Sequence, residues 1–186
     1  MKKRCPWPSS NPLMIKYHDF EWGVPLHDDQ KLFEFLMLEG AQAGLSWETI
    51  LNKRENYRGA FDNFNPNKIA KYTDKDVKSL LNNAGIVRNK LKIKSVITNA
   101  QLFLDIQKEF GSFDKYIWGF TNHKTINNKV RTIKDYQSRS LESDAMAKEL
   151  KKRGFKFVGS TICYAHMQAT GMVNDHTIDC FRYGEV

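Results

Sequence analysis

The stretch KKRGFKFVG, residues 151–159, decides how the C-terminal part of this chain folds. A helical pattern precedes it over 143–152 and another follows over 159–171, with glycines on both sides of the turn. Such a turn leaves backbone N–H groups unpaired, and the positive end of the second helix lies near them. Because basic residues surround the turn, the pattern predicts an anion site. An ordinary helical hairpin with a solvated basic face is the alternative.

Helical patterns cover most of the remaining chain, and no stretch alternates as a β-strand would. A polar surface loop is expected over 121–140, and the proline-rich N-terminus is expected to be irregular. The 186 residues are therefore predicted to form one all-α domain, residues 1–186. The predicted helices span 28–42, 46–58, a short turn from Asn65-Pro66, 73–83, 89–110, 113–120, 143–152 (capped by Ser143) and 159–171.

The charge balance indicates a polyanionic partner. The net charge is +8 and the isoelectric point is near 9.3, which favours nucleic acid first and an anionic membrane surface second. The alternative is a merely soluble basic protein. No signal-peptide pattern follows the basic residues at the start, and no apolar run approaches the ~20 residues of a membrane span. A cytoplasmic protein that does not enter membranes is expected.

A second informative stretch is LEGAQAGLSW, residues 38–47. It continues an amphipathic helix, introduces two glycines, and resumes with Ser46 as an N-cap. Glu39, Trp47 and a flexible backbone lie close together in it. This suits a pocket, because an ionised carboxylate is costly to bury in an apolar core. The alternative is a helix–helix corner with a solvated Glu39.

Cysteine and histidine residues at the two ends of the chain form a candidate metal-ligand set. Two thiolates and two imidazoles suit structural Zn²⁺, and the C-terminal pair has helical i, i+4 spacing. Since the spacing matches no common zinc-finger module, a free thiol at Cys5 and a surface imidazole at His176 are the alternative. Cys163 is expected in the core. The candidate ligands are Cys5, His18, His176 and Cys180, whereas His27, His123 and His166 are expected at the surface or at caps.

Seven motifs along the chain form a specific combination. They are Cys5-Pro-Trp7, Tyr17–Pro25, Leu38–Trp47, Lys53–Arg58, Ala84–Arg88, Lys151–Gly159 and Val173–His176. Together they resemble the DNA-3-methyladenine glycosylase I family over nearly the whole chain, from Cys5 to about Cys180. The resemblance implies a helix-hairpin-helix glycosylase fold, with the hairpin at about 143–171 and a zinc clip joining 5–18 to 176–180.

The resemblance also implies a function and its residues. The enzyme would flip 3-methyladenine out of double-stranded alkylated DNA and release it as free base by hydrolysis, with 3-methylguanine as a second candidate substrate. Glu39 is then the catalytic residue, Tyr17 and Trp47 bind the base with it, and Trp7 and Trp22 line the pocket. The resemblance implies one structural Zn²⁺ per chain and action on nucleoid DNA, and a monomer is the default expectation. The implied DNA-binding residues are Gln42, Gly44 and Leu45 in a wedge loop, and Lys152, Arg153, Gly154, Phe155, Lys156 and Gly159 in the hairpin.

Three positions depart from the pattern of related glycosylases. Asn174 stands where the superfamily places a catalytic Asp, and Ser160-Thr161 stand where some members carry a lysine nucleophile. Both departures fit this family and argue against strand cleavage by a lyase. Met14 replaces an aromatic residue that often precedes the Tyr-His pair. The competing class is a zinc-stapled DNA-binding module without catalysis, which needs no acidic aromatic pocket.

Overall fold

A computed structural model describes residues 2–186 of the chain. These residues are mostly helical, with a few 3₁₀ turns and one very small sheet. The α-helices are α1 (Pro12–Phe20), α2 (Asp29–Gln42), α3 (Trp47–Ala60), α4 (Pro66–Ile69), α5 (Asp74–Asn82), α6 (Lys90–Phe110), α7 (Phe113–Trp118), α8 (Leu141–Lys152) and α9 (Ser160–Ala169). The 3₁₀ turns cover Asp62–Phe64, Gly119–Thr121 and Ile133–Asp135, and the strands β1 (Ile126–Asn127) and β2 (Val173–Asn174) pair in parallel.

Polar side chains fix where the main helices begin. The Asp28 carboxylate accepts a hydrogen bond from the Lys31 N–H at 2.8 Å, and the Ser46 hydroxyl accepts one from the Thr49 N–H at 3.1 Å. Each bond satisfies a backbone donor that has no partner within its helix. The predicted starts of α2 and α3 are confirmed, and Gly111 ends α6 in a left-handed conformation as predicted.

The structure differs from the predictions in three local features. Residues 2–11 are irregular as expected, but α1 was not predicted: Asn11 caps it and Pro12 begins it, where a missing N–H does no harm. The N-cap of α8 is Ser140, whose hydroxyl accepts from the Ser143 N–H at 3.2 Å, so Ser143 lies inside the helix. The all-α prediction missed the pairing of β1 with β2, since two-residue strands are too short to show an alternating pattern.

Helix α2 lies at the centre of the fold and is buried from Leu32 to Ala41. It packs against α3, α6 and α9, and their apolar side chains form the main core. A second, smaller apolar cluster joins the N-terminal segment and α1 to residues near the C-terminus, and it includes Tyr17 and Trp22. Trp47 packs against both clusters. None of the helices within residues 2–186 has the length and apolar character needed to cross a bilayer.

Candidate active site

A cavity of about 220 Å³ opens between the two apolar clusters. Drug-sized ligands occupy sites of about 300–1,000 Å³, so this cavity suits one small molecule. Its walls come from the N-terminal segment, from α1, α2, α3 and α9, and from the segment before α8. The lining residues are Trp7, Tyr17, Trp22, Glu39, Gln42, Trp47, Tyr136, Ala165 and Gln168.

The structure brings together all five residues that were predicted to bind or enclose a base. The ring centroids of Tyr17 and Trp47 lie 5.2 Å apart, and those of Trp7 and Trp22 lie 4.8 Å apart. Tyr17 is only 3% exposed, although it lies on a short helix near the surface of the chain's N-terminal region. Several aromatic faces in one small space favour a flat, positively charged ligand.

Glu39 brings a carboxyl group into this aromatic cavity from α2. The residue is 4% exposed, and burial alone raises its pKa to about 8. No donor within residues 2–186 compensates for the lost hydration, and Tyr17 in particular does not bond to it. Burial, followed by the nearby Glu39, raises the pKa of Tyr17 well above its usual value. The carboxyl group is therefore available to a ligand.

An ion pair joins the two helices that carry the aromatic walls. The Arg54 guanidinium of α3 donates to both oxygens of Glu21, at 2.5 and 2.8 Å, immediately after the end of α1. A bidentate pair fixes orientation as well as distance. It therefore holds Tyr17 of α1 close to Trp47 of α3.

Sequence reasoning missed three lining residues: Tyr136, Ala165 and Gln168. Tyr136 belongs to the segment predicted to be a surface loop, which the pairing of β1 with β2 ties to residues near the C-terminus. Gln168 Nε2 donates to the buried carboxylate of Asp175 at 2.8 Å. The motif containing Asp175 pointed to this part of the chain, whereas no local signal marks Tyr136.

The predicted wedge loop forms a tight corner beside the cavity. Gln42 lines the cavity, Gly44 has a φ of +78°, and Leu45 is 41% exposed. The left-handed conformation of Gly44, which glycine adopts without steric cost, lets α2 turn directly towards the N-cap of α3. An exposed apolar side chain consequently lies next to the cavity.

The predicted DNA-binding residues in the connection between α8 and α9 differ in their exposure. Lys152 and Lys156 are exposed, and Gly154 has a φ of +101°. Gly159 is the N-cap of α9, with no side chain over the helix end. Phe155 is 2% exposed and belongs to the main core, so only its backbone can meet a ligand.

The Arg153 guanidinium is already engaged within the protein. It donates to both oxygens of Glu109 at 2.6 and 3.0 Å, and to Glu149 at 2.9 Å. The guanidinium also lies 5.1 Å from the centre of the Phe110 ring. These contacts tie α8 to α6, which reduces what Arg153 can offer to an outside anion.

The four predicted metal ligands meet in one buried cluster. Ligand atoms of Cys5, His18, His176 and Cys180 all lie within 4.8 Å of one another. The Cys5 Sγ–His176 Nδ1, Cys180 Sγ–His18 Nε2 and Cys180 Sγ–His176 Nδ1 distances are 3.4, 3.5 and 3.6 Å. Tetrahedral ligands bound at about 2.0–2.3 Å from one ion are about 3.3–3.8 Å apart. The cluster can therefore hold a metal ion.

Both imidazoles of this cluster are oriented through their other nitrogen. His18 Nδ1 lies 2.8 Å from the Asp19 carboxylate, and His176 Nε2 lies 3.0 Å from the Trp22 carbonyl oxygen. Metal-bound histidines are commonly held in this way. Because Trp22 also lines the cavity, the cluster supports one of the cavity walls.

The other cysteine and histidine predictions have mixed outcomes. Cys163 is fully buried, and His27 and His123 are exposed, as predicted. The surface prediction for His166 is wrong, because this residue of α9 is 0% exposed and neither ring nitrogen has a hydrogen-bond partner among the residues that the structure describes. Burial lowers the pKa of His166 to about 3, so its ring is neutral. Met14 is buried in the smaller cluster and does not line the cavity.

Comparisons with known proteins agree with one another. The family model described as Methyladenine glycosylase matches residues 7–183. The chain is 49% identical over 181 residues to DNA-3-methyladenine glycosylase 1 of Escherichia coli K12, covering 97% of both. A crystal structure of 3-methyladenine DNA glycosylase I superimposes with a TM-score of 0.94 and 50% identity, covering 96% of this chain and 98% of that chain. A variant of such an enzyme in complex with 3-methyladenine gives a TM-score of 0.93 at 35% identity, with 96% of each chain covered.

The shared fold and the near full-length likeness to enzymes at 49% identity define this protein as a DNA glycosylase. The matched residues include the whole acidic aromatic cavity and the α8–α9 connection. The chain belongs to the methyladenine glycosylase family.

Proposed function

We propose that this protein excises 3-methyladenine from alkylated double-stranded DNA. The observation that carries the proposal is a buried acid, Glu39, which has no partner in the described part of the chain and lies in a cavity walled by Tyr17 and Trp47. Bacterial relatives named for this glycosylase span nearly the whole chain. Free 3-methyladenine is the product, and 3-methylguanine is the candidate second substrate.

Recognition depends on charge. Methylation at N3 makes the adenine in DNA cationic, and an aromatic face attracts a cation by roughly 0.5–2 kcal/mol. The cation also favours ionised Glu39, so the carboxyl proton leaves to water as the base enters. Undamaged adenine brings no charge and leaves the buried carboxyl group without a counter-charge. The difference between these two states discriminates damaged from normal base.

Excision breaks the bond between N9 of the purine and C1′ of the deoxyribose. The electron pair of this bond goes to the purine, which leaves as a neutral molecule, and positive charge develops on the sugar. A water oxygen then adds to C1′ and releases a proton to solvent. Only interactions that strengthen in the transition state speed this step. We assign that role to Glu39, the one acid among the described residues that lines the cavity.

The base must leave the DNA stack first, at a cost of a few kcal/mol. We assign the wedge to the corner after α2, where exposed Leu45 enters the space that the base vacates. Gln42 and Gly44 belong to the same corner and face the same DNA step. The proximity of this corner to the cavity supports the assignment.

We assign phosphate binding to the α8–α9 connection, acting as a helix-hairpin-helix. Backbone N–H groups near Gly154 and Gly159 bind one phosphate without regard to base sequence. Lys152 and Lys156 are exposed beside them and neutralise neighbouring phosphates. Arg153 contributes mainly by shaping the turn, because its guanidinium is bound to glutamates.

We assign one Zn²⁺ to Cys5, His18, His176 and Cys180. Two thiolates and two imidazoles are typical ligands of closed, four-coordinate structural zinc sites. The ion would join the N-terminal segment to the residues after α9. Its role is stability, because four protein ligands leave no position for a substrate.

The proposed reaction includes no strand cleavage. A lyase needs an amine that attacks C1′, and Ser160-Thr161 stand at that place instead. Asn174 donates to the Tyr183 carbonyl oxygen at 3.0 Å, as a structural residue does. Residues 1–186 act as one glycosylase domain, in monomeric form, on nucleoid DNA in the cytoplasm.

Release of base from methylated duplex DNA tests this proposal. DNA carrying radiolabelled methyl groups is incubated with the protein, free bases are separated by chromatography, and strand nicking is measured in the same sample. Free 3-methyladenine without nicks is the expected result. Binding without release would identify a non-catalytic DNA-binding module, and nicking would identify a lyase.

A further inference from the structure

Lys92 of α6 holds the wedge corner, defined as residues 41–45. Its ammonium group donates to the carbonyl oxygens of Ala41 and Ala43, at 2.8 and 2.6 Å. These carbonyls lie at the C-terminal end of α2, where backbone groups lack helical partners and the helix dipole is negative. A positive charge is favourable there, and it fixes the backbone on both sides of Gln42.

Asn99 makes a corresponding contact further along α6. Its Oδ1 accepts from the Lys156 N–H at 2.8 Å, and its Nδ2 donates to the Lys156 carbonyl oxygen at 3.0 Å. Asn99 is 2% exposed, so these bonds to the α8–α9 connection are shielded from water. The spacing of two helical turns places Lys92 and Asn99 on one face of α6.

The two clamped segments also touch each other. A Cβ atom added at Gly40 of α2 would lie 3.3 Å from Phe157 Cβ, which leaves little room for any side chain. Phe157 follows the clamped Lys156 and has a φ of +54°, in the left-handed region. The wedge corner and the α8–α9 connection are thus attached to one face of α6 and to each other.

We propose that Lys92 is a positioning residue that holds the wedge corner at a fixed distance from the phosphate-binding connection. This inference rests on the proposed function, since it takes the corner to enter duplex DNA. DNA held by its phosphates must meet the wedge at a defined base step, and a loosened corner loses that alignment. Lys92 does not line the cavity, so it serves base extrusion and not bond cleavage.

The test compares Lys92→Met with Lys90→Met, which removes an exposed charge from the start of the same helix. Excision rates are measured on duplex and on single-stranded methylated DNA. For Lys92→Met we expect the duplex rate to fall about tenfold or more, because small displacements of a positioned group are that costly. The single-strand rate should remain near that of the wild type, because a single strand needs no wedge. Lys90→Met should leave the ratio of the two rates unchanged.

Lys92→Arg keeps the charge and the donors, and it should recover most of the duplex rate. A purely structural defect would lower both rates together, and a direct phosphate contact would reduce the salt slope of DNA binding by about one. Either result overturns the positioning role, as does an unchanged duplex rate in Lys92→Met. If Lys92→Met does not fold, Lys92→Gln takes its place in the same comparison.

The variant Leu45→Ala distinguishes a failure of the positioning role of Lys92 from a failure of the proposed function on which that role rests. If Leu45→Ala slows duplex excision and Lys92→Met does not, the positioning role is wrong and the wedge assignment stands. If neither variant slows duplex excision, the wedge assignment is wrong and the positioning role falls with it. Wild-type protein that releases no base from either DNA would instead contradict the proposed function.

Discussion

The cavity and the metal-ligand cluster both contact Trp22, but they differ in whether their buried polar groups have partners within the protein. In the cluster, each imidazole has a thiol near one nitrogen and an oxygen acceptor near the other. In the cavity, no donor among residues 2–186 reaches Glu39, and the indole N–H groups of Trp7 and Trp47 also lack partners among these residues. An unmade buried hydrogen bond costs about 1–3 kcal/mol. The imidazoles of the cluster therefore have their nitrogens engaged within the protein, whereas the cavity keeps its polar groups free for a ligand.

Loss of the metal should produce the largest effect. Cys180→Ala removes one ligand from the cluster, and we expect the free energy of unfolding to fall by at least about 3 kcal/mol. Elemental analysis should find one zinc per wild-type chain and little in the variant. Cys163→Ala, at a buried cysteine outside the cluster, is the control and should retain its zinc. Well-folded wild-type protein without bound metal would refute the ligand set.

Glu39→Gln should have the next largest effect, on activity. Removing a charge that stabilises the transition state should lower the excision rate about 10²–10³-fold. Binding to abasic DNA should stay nearly intact, because the wedge and the phosphate contacts are unchanged. Glu34→Gln is the matched control, since Glu34 is also buried on α2 but is paired with Arg58 at 2.8 Å. Equal excision by Glu39→Gln and wild type removes Glu39 from the mechanism.

The raised pKa of Glu39 predicts a smaller effect on stability. The native protein holds this proton up to about pH 8, whereas the usual value for the unfolded chain is 4.5. The native state binds more protons in that window, so the contribution of Glu39 to stability falls as pH rises from 4.5 to about 8. The free energy of unfolding of Glu39→Gln, taken relative to wild type, should therefore be higher at about pH 8 than at about pH 4 by a few kcal/mol at most, and melting temperatures of both proteins at the two pH values measure this change. A difference that stays constant with pH would argue against the unpartnered state of Glu39.

Tyr136 gives the smallest expected effect. Tyr136→Ala removes an aromatic wall of the cavity, and we expect binding of free 3-methyladenine to weaken by about threefold to tenfold, because one ring–ring contact is lost. Tyr136→Phe keeps the ring and should bind nearly as wild type does. Quenching of tryptophan fluorescence can measure both, since Trp7, Trp22 and Trp47 line the cavity. A similar loss in the two variants would assign the contribution to the hydroxyl group instead.

The sequence predicted those parts of the fold that local chemistry controls. Asp28 and Ser46 cap helices through bonds to nearby residues, and such signals are readable in the chain itself. The pairing of β1 with β2 was missed because its two partners are distant in sequence and only two residues long. Ser143 was mistaken for a cap because Ser140, the true cap, lies one turn earlier in an equally polar segment.

The cavity shows the same contrast between features that a local pattern predicts and features that depend on distant residues. Residues of the cavity that belong to recognisable motifs, such as Glu39 and Trp47, were predicted and do line it. Tyr136 was not, because it reaches the cavity through the course of a long connection that no local pattern encodes. His166 was misplaced because burial of a helical residue depends on what packs against that face.

The sequence by itself determined the helical framework, through helix periodicity and caps, and the family, through its seven motifs. Those motifs also predicted the four candidate metal ligands and the acid among aromatic residues. Only the tertiary structure decided that Glu39 has no partner within residues 2–186, that Arg153 is bound by two glutamates, and that Lys92 and Asn99 bind separate segments to α6. The physical reason is that desolvation and pairing depend on which groups come into contact after folding. The separation of two residues along the chain does not determine whether they are in contact.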